Sequence, residues 1–327
     1  MRAAYYEAKG PARDVLRVGD LELPQPARGE VRIRVHASGV NPTDTKSRGG
    51  FRGNTSMPFP RIIPHQDGAG VIEAVGDGVP QSRVGERVWI YEAQWQRPFG
   101  TAAEFVSLPS TQAVRLPDGV EFVEGACLGI PAMTAHRCVF ADGDVRGKTV
   151  LVSGGAGAVG FYAIQLAKWG GATVLTTISG DDQRALVLGA GADHAINRKS
   201  EDVAARVREL TGGGVDRIIE VAFGANLATN GAILNRNAVV ATYASDAVQE
   251  PAFPFYAFMG KNATIHFVLV YLMSAEAHAA AARDITTALE EGALRHSIAR
   301  RFLLDDVAAA HEAVESGHQN GKVIVEL

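Results

Sequence analysis

The sequence predicts an α/β protein, a doubly wound parallel sheet joined to a second, β-rich domain. Three observations carry that expectation. Between residues 125 and 265, strand-like runs, glycine turns and helix-like runs alternate, the pattern of βαβ units lying parallel in one sheet. The first third is instead made of short β-branched runs bounded by turns. At 327 residues, 46% of them hydrophobic, the chain is long enough for two cores. The same texture sets the expected boundaries: 1–124 with 266–327 returning to it, and 125–265 for the parallel sheet.

Each element follows in order. "EVRIRVHASGV" (30–40) alternates charged and apolar residues as a half-buried strand does. "GAGVIEAVGDGV" (68–79) and "GERVWIY" (85–91) are β-branched runs closed by glycine, and the loop 92–100 separates them from "TAAEFVSL". "KTVLVSGGAGAVGFYAIQLAKWGGATVLTTIS" (148–179) spells a whole βαβ unit. Helices are predicted over 181–189 and 201–211, and strands at "HAIN", "VDRIIEV", "NAVVATYAS" and "ATIHFVLV". Two more helices, 275–291 and 305–316, precede the last strand, "KVIVEL"; Gly317 is a natural terminator for the second.

Composition narrows the function. The net charge of −4 comes without a basic block, which argues against nucleic acid or an anionic membrane as partner. The N-terminus has no apolar signal core, and the longest apolar run, 267–273, is too short to span a bilayer. A cytoplasmic protein is expected. Cys127 and Cys138 form no metal or disulfide pattern and read as small buried hydrophobes.

The strongest local signal is G-x-G-x-x-G at Gly155, Gly157 and Gly160. It follows an apolar strand (Val150–Val152) and opens an amphipathic helix (Ala158–Trp169), the context that makes it a dinucleotide site of Rossmann type. Positions without side chains let backbone approach a pyrophosphate, whose charge sits at the helix N-terminus. Gly155, Ala156, Gly157, Ala158 and Val159 are therefore cofactor-binding candidates. An NAD site usually carries an acid at the tip of the second strand. Here the strand ends Thr176-Thr177-Ile178-Ser179, and Ser179, Arg184 and Arg198 stand nearby, which favours NADPH. Asp181 and Asp182 lie further on, where they suit a helix's first turn.

Four further segments carry a resemblance: "SGVNPTDTKSRGG" (38–50), "GAGVIEAVGDGV", "GIPAMTAHR" (129–137) and "SGHQNGKVIVEL" (316–327). With the glycine loop, and over essentially the whole chain, they resemble the medium-chain dehydrogenase/reductase superfamily, and within it the quinone oxidoreductases related to ζ-crystallin. The resemblance implies a GroES-like catalytic domain beside the Rossmann domain and a zinc-independent NADPH:quinone reductase. It places Asn41 beside nicotinamide and substrate, Asp44 as a positioning group in the same loop, and Thr134 near the nicotinamide. It lines the remaining cofactor groove with backbone around Ala222, Tyr243–Ser245 and Val268–Leu269, and brings Asn320 to the cofactor. Where relatives often carry tyrosines, this chain has Lys46, Arg48 and Arg52, which admits an anionic or larger substrate.

No metal is expected. Laid over the zinc-dependent members by the flanking glycines, the first Cys falls on Asn41, the His-Glu pair on Gln66 and Asp67, and the later ligand on Ile130. His65 is one register out and reads as a loop hydrogen-bonding residue. Tyr5 and Lys9 spell Tyr-x-x-x-Lys, but on a strand such positions lie well apart. Two other functions stay open: an enoyl or activated-alkene reductase, and a non-catalytic, crystallin-like NADPH-binding protein. A homodimer is expected, because the apolar run "ATIHFVLV" should form an edge that needs cover.

Overall fold

Alternating buried and accessible positions make Glu30–Val40, eleven residues, the spine of the first of two compact units. The computed structural model describes residues 1–327, Arg52 by its backbone alone. The first unit comprises 1–130 and 296–327. Asp67–Val75 pairs antiparallel along one side of the spine. The other side is shared: Glu30–Arg34 pairs with Phe105–Pro109, and Ala37–Val40 with the C-terminal strand Lys322–Glu326. Arg87–Ile90 and Ala113–Arg115 extend the sheet at one edge, Ile298–Leu303 at the other. The tail thus completes a sheet that the first third begins. Val31, Ile33, Val35, Ile72, Val88, Ile90, Val106 and Leu108 fill one apolar cluster, each side chain stabilising the fold by about 1.5–3 kcal/mol through burial. The spine stops at Asn41, where Pro42 opens the helix Pro42–Gly49 from its first position. Gly50, at φ 87°, ends that helix in the left-handed conformation glycine favours.

The second unit, 131–295, holds a six-stranded parallel sheet. Its strand order is 194–197, 173–178, 149–152, 215–220, 234–242, 264–267. The order reverses between 149–152 and 215–220, and ligands bind outside the carboxyl ends of strands at such a switch point. The α/β class and the doubly wound sheet are as the sequence predicts, and Thr264–Phe267 is indeed an edge. Among the described residues no helix is long and apolar enough to cross a membrane.

The division falls elsewhere than expected, at 130/131 and 295/296 rather than 124/125 and 265/266. Thr264–Phe267 pairs with Leu234–Thr242 as the sixth parallel strand. The segment after it stays with that unit: Asp284 bonds His136 at 2.7 Å, and Glu291 takes the Trp169 indole N–H at 2.7 Å. Some elements carry no clear periodic signal. The helix Phe223–Ile233 contains two glycines and two asparagines, poor helix formers, and is held by Leu227 and Ile233 in the core. Ile298–Leu303 has two adjacent exposed arginines that interrupt alternation on an edge strand. The helix predicted over 181–189 starts as a 3₁₀ turn, Asp181–Gln183, before Arg184–Gly189. Gly317, at φ 67°, follows the helix Val307–Glu315 as expected.

Candidate functional site

In the second unit the strand Thr149–Val152 runs into the glycine loop and the helix Ala158–Trp169. Gly157 caps that helix without a side chain, so the N–H groups of its first turn have no intrahelical acceptor. Threonines of the neighbouring strand hold the loop. Thr177 Oγ1 accepts from Gly154 N at 3.0 Å, and Gly155 N donates to the Thr177 carbonyl at 3.1 Å. A Cβ on Gly155 would overlap Thr176 Oγ1, and one on Gly160 would overlap the Gly154 carbonyl oxygen. Free N–H groups, a positive helix end and a loop too tight for side chains fit a dinucleotide pyrophosphate.

A cavity of about 530 Å³ lies at the carboxyl ends of the strands 234–242 and 264–267. Phe223, Tyr243, Ser245, Phe253, Val268 and Leu269 are among its walls, so four of the predicted groove residues come together there. Ala222 bridges to Ser245, and its N–H is fixed by Glu220 Oε1 at 2.6 Å. Sequence reasoning passes over Glu220. It is buried, and its other bonds come from Asn226 Nδ2 at 3.0 Å and Asn230 Nδ2 at 2.9 Å. The available signal is a carboxylate closing the strand Val215–Glu220 straight after two isoleucines. Burial, Cys138 and Glu220 push the Tyr243 hydroxyl well above its ordinary value, so it stays protonated.

The three residues predicted for the ribose end do not share one fate. Ser179 N and Oγ both engage Gln183 Oε1, at 2.9 and 3.3 Å. Arg184 is committed to the protein: it donates to the Ala195 carbonyl at 2.6 Å and to Asp181 Oδ1 at 3.0 Å, with Glu201 at 3.7 Å. Two carboxylates flank its guanidinium, so a 2′-phosphate would have to displace them. Arg198 is exposed beside the end of 173–178, its N–H on the Ile178 carbonyl at 3.0 Å, and its side chain has no partner among the described residues. Thr134 lies buried on the helix Gly129–Phe140 rather than at its surface. Asn320 is exposed in the first unit, its carbonyl accepting from Ser297 Oγ at 3.0 Å.

The first unit carries a buried charged cluster where spine and helix meet. Asn41 N donates to Asp44 Oδ2 at 2.8 Å, and Asn41 Nδ2 donates to Asp67 Oδ2 at 2.8 Å. Lys322 Nζ donates to Asn41 Oδ1 and to Asp67 Oδ2, both at 2.6 Å. Asp67 Oδ1 accepts from Ile130 N at 2.8 Å. Asn41, Asp44 and Lys322 are each 3% exposed and Asp67 is 0% exposed, so these bonds work in a low dielectric. Two glycines make the room: a Cβ on Gly39 would overlap the Ala126 carbonyl oxygen and lie 2.7 Å from Lys322 Cε, and one on Gly129 would overlap Asp67 Oδ1. Lys322 is the residue sequence reading missed; its one signal is a lysine opening an apolar strand.

Three of the four positions laid over zinc ligands, Asn41, Asp67 and Ile130, therefore meet here, bonded to one another and to an ammonium. Gln66 is turned to Gln94, whose N–H it accepts at 3.1 Å. Catalytic zinc needs three convergent protein ligands. An engaged amide, a carboxylate already neutralised by lysine and a backbone N–H are not such a set, so these residues do not fit the metal. Among the described residues no group of three or more His, Cys, Asp or Glu could hold one.

Burial and the charge of Asp67 push Asp44 up to about 7, against the opposing pull of Asn41 N–H and Lys322. Its Oδ1 is buried without a partner. The folded state thus holds this proton more tightly than the unfolded chain. The associated stability is complete below the model-peptide value of 3.8 and is lost as pH rises through about 7. Asp44→Asn should gain stability over the parent protein across that window, by at most about 1.4 kcal/mol per pH unit, with a constant advantage above it. Urea midpoints taken at pH 4, 6 and 8 check this; a gap that does not widen with pH contradicts it.

His65 bonds as expected and is no free ligand. Thr101 Oγ1 donates to the Asp67 carbonyl at 2.5 Å, which can only accept, so Thr101 must accept from Ser38 Oγ at 2.7 Å. Ser38 then accepts from His65 Nδ1 at 2.8 Å, and the bare His65 Nε2 accepts from His311 Nε2 at 2.9 Å. Burial keeps both rings neutral, His65 pushed well below its usual range and His311 down to about 3. The chain ends on a carbonyl and serves to fix the Asp67 backbone.

The expected cationic rim contracts. Arg48 is buried and bonded to the Gly10 carbonyl and Glu315, so it offers no charge to a ligand. Lys46 lies over the Phe51 ring at 5.4 Å, and the Arg52 side chain lies outside the described residues. Tyr5 packs under Arg61 while Lys9 donates to the Asn54 carbonyl at 3.2 Å, so the two have separate partners.

Known proteins fit this geometry. The family described as "Alcohol dehydrogenase GroES-like domain" matches residues 27–118, and "Zinc-binding dehydrogenase" matches 158–286. The chain is 32% identical to the quinone oxidoreductase of Rattus norvegicus, over 98% of this chain and 96% of that one. A mycobacterial protein solved in complex with NADPH superimposes with a TM-score of 0.86 at 28% identity, covering all of both chains. A structure described as an NAD-dependent alcohol dehydrogenase superimposes with a TM-score of 0.90 at 26% identity, again over both whole chains.

Proposed function

We propose that this chain, which belongs to the quinone oxidoreductase family of the medium-chain dehydrogenase/reductase superfamily, is an NADPH:quinone reductase that works without a metal. The observation that carries this reading is that Asn41 and Asp67, at positions where zinc-dependent members have ligands, are bonded to each other and to Lys322. Reducing a ketone passes through an alkoxide about as basic as hydroxide, whose conjugate acid in bulk water has a pKa of about 15.7. Reducing a quinone yields a phenolate whose acid titrates near 10, as tyrosine does, roughly 6 units or about 8 kcal/mol less demanding. Positioned donors in a dry site can manage that anion without a Lewis acid.

When bound, the reduced nicotinamide supplies the hydride. The glycine loop from Gly155 to Val159 would hold the pyrophosphate, and Arg198 the 2′-phosphate. Tyr243, Ser245, Val268 and Leu269 would wall the groove, with Ala222 held beside them by Glu220. Asn41 is assigned beside the reacting atoms as an amide donor, Thr134 near the nicotinamide and Asn320 at the cofactor. Asp44 is assigned to hold Asn41 through its N–H.

Following NADPH oxidation at 340 nm with quinones, 2-enones and enoyl thioesters tests the reading. Quinones should turn over fastest and chelators should leave the rate unchanged. Faster turnover of enones would favour an alkene reductase, and tight NADPH binding without any turnover a crystallin-like role. Arg198→Ala should weaken NADPH more than NADH; equal losses would remove it from the 2′-phosphate.

A cytoplasmic homodimer belongs to the same proposal. Free, buried Cys127 and Cys138 suit a reducing compartment. The edge strand Thr264–Phe267 and the segments beside it expose Phe267 (75%), Leu272 (70%) and Tyr256 (78%), an apolar edge that self-pairing would cover. Light scattering at micromolar concentration should give twice the 34.6 kDa chain mass; a monomer refutes the dimer.

A further inference from the structure

We infer that Lys322 is a positioning residue of this site, its ammonium fixing the amide of Asn41. The inference rests on the proposed role of Asn41. The two faces of an asparagine amide are nearly alike in shape, so neighbours alone decide which way it points. Here the choice is forced. Lys322 can only donate and meets Oδ1 at 2.6 Å, while the Asp67 carboxylate accepts from Nδ2 at 2.8 Å. A cation on the amide oxygen also draws electron density from the nitrogen and strengthens it as a donor. An amide nitrogen carries two protons, and Asp67 takes one.

Lysine is among the residues least often buried, and its long side chain loses much rotamer freedom when it is. A buried ion pair is a weak route to stability, since apolar replacements of similar volume are often neutral or better. Yet this one is enclosed at 3% and 0% exposure, and its ammonium bonds the Asn41 amide oxygen as well as the carboxylate. The pair is built from opposite ends of the unit, the lysine from the last strand and Asn41 from the close of the spine.

Two variants separate positioning from mere neutralisation of Asp67. Lys322→Met leaves the carboxylate buried and unpaired, so it should lower both stability and kcat. The double variant Lys322→Met/Asp67→Asn removes both charges and should fold normally. If Lys322 positions Asn41, the double variant keeps its Kd for NADPH within about twofold while kcat stays down by roughly tenfold to a hundredfold, less than for a direct oxyanion donor. The Asn41 side-chain NH₂ protons, identified by their loss in Asn41→Ala, should exchange with solvent at least about tenfold faster in both variants, as an amide does once its opening is no longer resisted. A double variant with parental kcat and parental exchange would overturn the assignment. Should the parent protein reduce neither quinones nor alkenes, the proposed reaction falls, and the exchange measurement alone still decides what Lys322 does.

Discussion

Asp67→Ala should destabilise the first unit by about 3–5 kcal/mol, the loss that follows when one partner of a buried ion pair is removed. The carboxylate is fully enclosed and accepts from Ile130 N, Asn41 Nδ2 and Lys322 Nζ at 2.8, 2.8 and 2.6 Å. Alanine takes both acceptor oxygens away, and all three bonds with them. Lys322 is left as a buried ammonium with Asn41 Oδ1 as its remaining partner, and the Ile130 N–H is orphaned in the interior. The cation is only 3% exposed. Asp67→Asn should cost less, because an amide oxygen can still accept from Ile130 N. Two units need not unfold together, so the probe must be local. Trp89 and Trp95 belong to the first unit, and Trp169→Phe removes the tryptophan of the second. Urea unfolding followed by fluorescence on that background should show a lower midpoint with an unchanged slope. A loss below about 1 kcal/mol, the range of an exposed pair, would mean the cluster is solvated in solution.

What the sequence discloses and what it hides divide along contact distance. The spine Glu30–Val40 and the strand–helix context of the glycine loop are written in local periodicity or in a contiguous motif and form as read, whereas the strand read across 263–270 forms only over Thr264–Phe267, with a 3₁₀ turn at Val270–Leu272. The failed readings involve side chains whose partners are decided elsewhere. Lys322 looks like an ordinary strand-opening lysine; its partners Asn41 and Asp67 are 281 and 255 residues away. Arg48 looks like a cation for substrate until Glu315, 267 residues on, closes over it. Arg184 finds its partner nearer by: Asp181 suits a helix's first turn, and the same i, i+3 spacing lets it take the arginine. The boundary near 265 was misplaced because the helix Ala275–Glu290 looks the same in sequence whichever core it joins. In the fold it buries Ala281, Ile285 and Ala288, and its Asp284 meets His136, 148 residues away. Non-ligating residues at zinc positions were legible one by one. That a lysine would join them was not.

The glycine loop yields the second large effect, and two substitutions identical in size, three residues apart, isolate it. Gly160→Ala would drive a Cβ into the Gly154 carbonyl oxygen and to 2.9 Å from Gly155 Cα. Backbone cannot rotate aside as a side chain can, and Gly154 already sits at φ 71°, so the turn itself must shift. Melting temperature and NADPH affinity should both fall. At Gly157 the nearest atom to an added Cβ is the Gly154 carbonyl oxygen at 3.4 Å, ordinary contact, and the backbone is extended at φ −76°. Gly157→Ala should therefore leave stability within about 0.5 kcal/mol of the parent. It should still raise the NADPH Kd by roughly tenfold to a hundredfold, or about 1.4–2.8 kcal/mol, because the new methyl stands where a pyrophosphate must approach bare backbone. Binding lost without stability lost cannot come from packing within the protein. Calorimetric titration with NADPH beside thermal melts of both variants makes the comparison, and a Gly157→Ala protein that binds NADPH like its parent would place the pyrophosphate away from this loop.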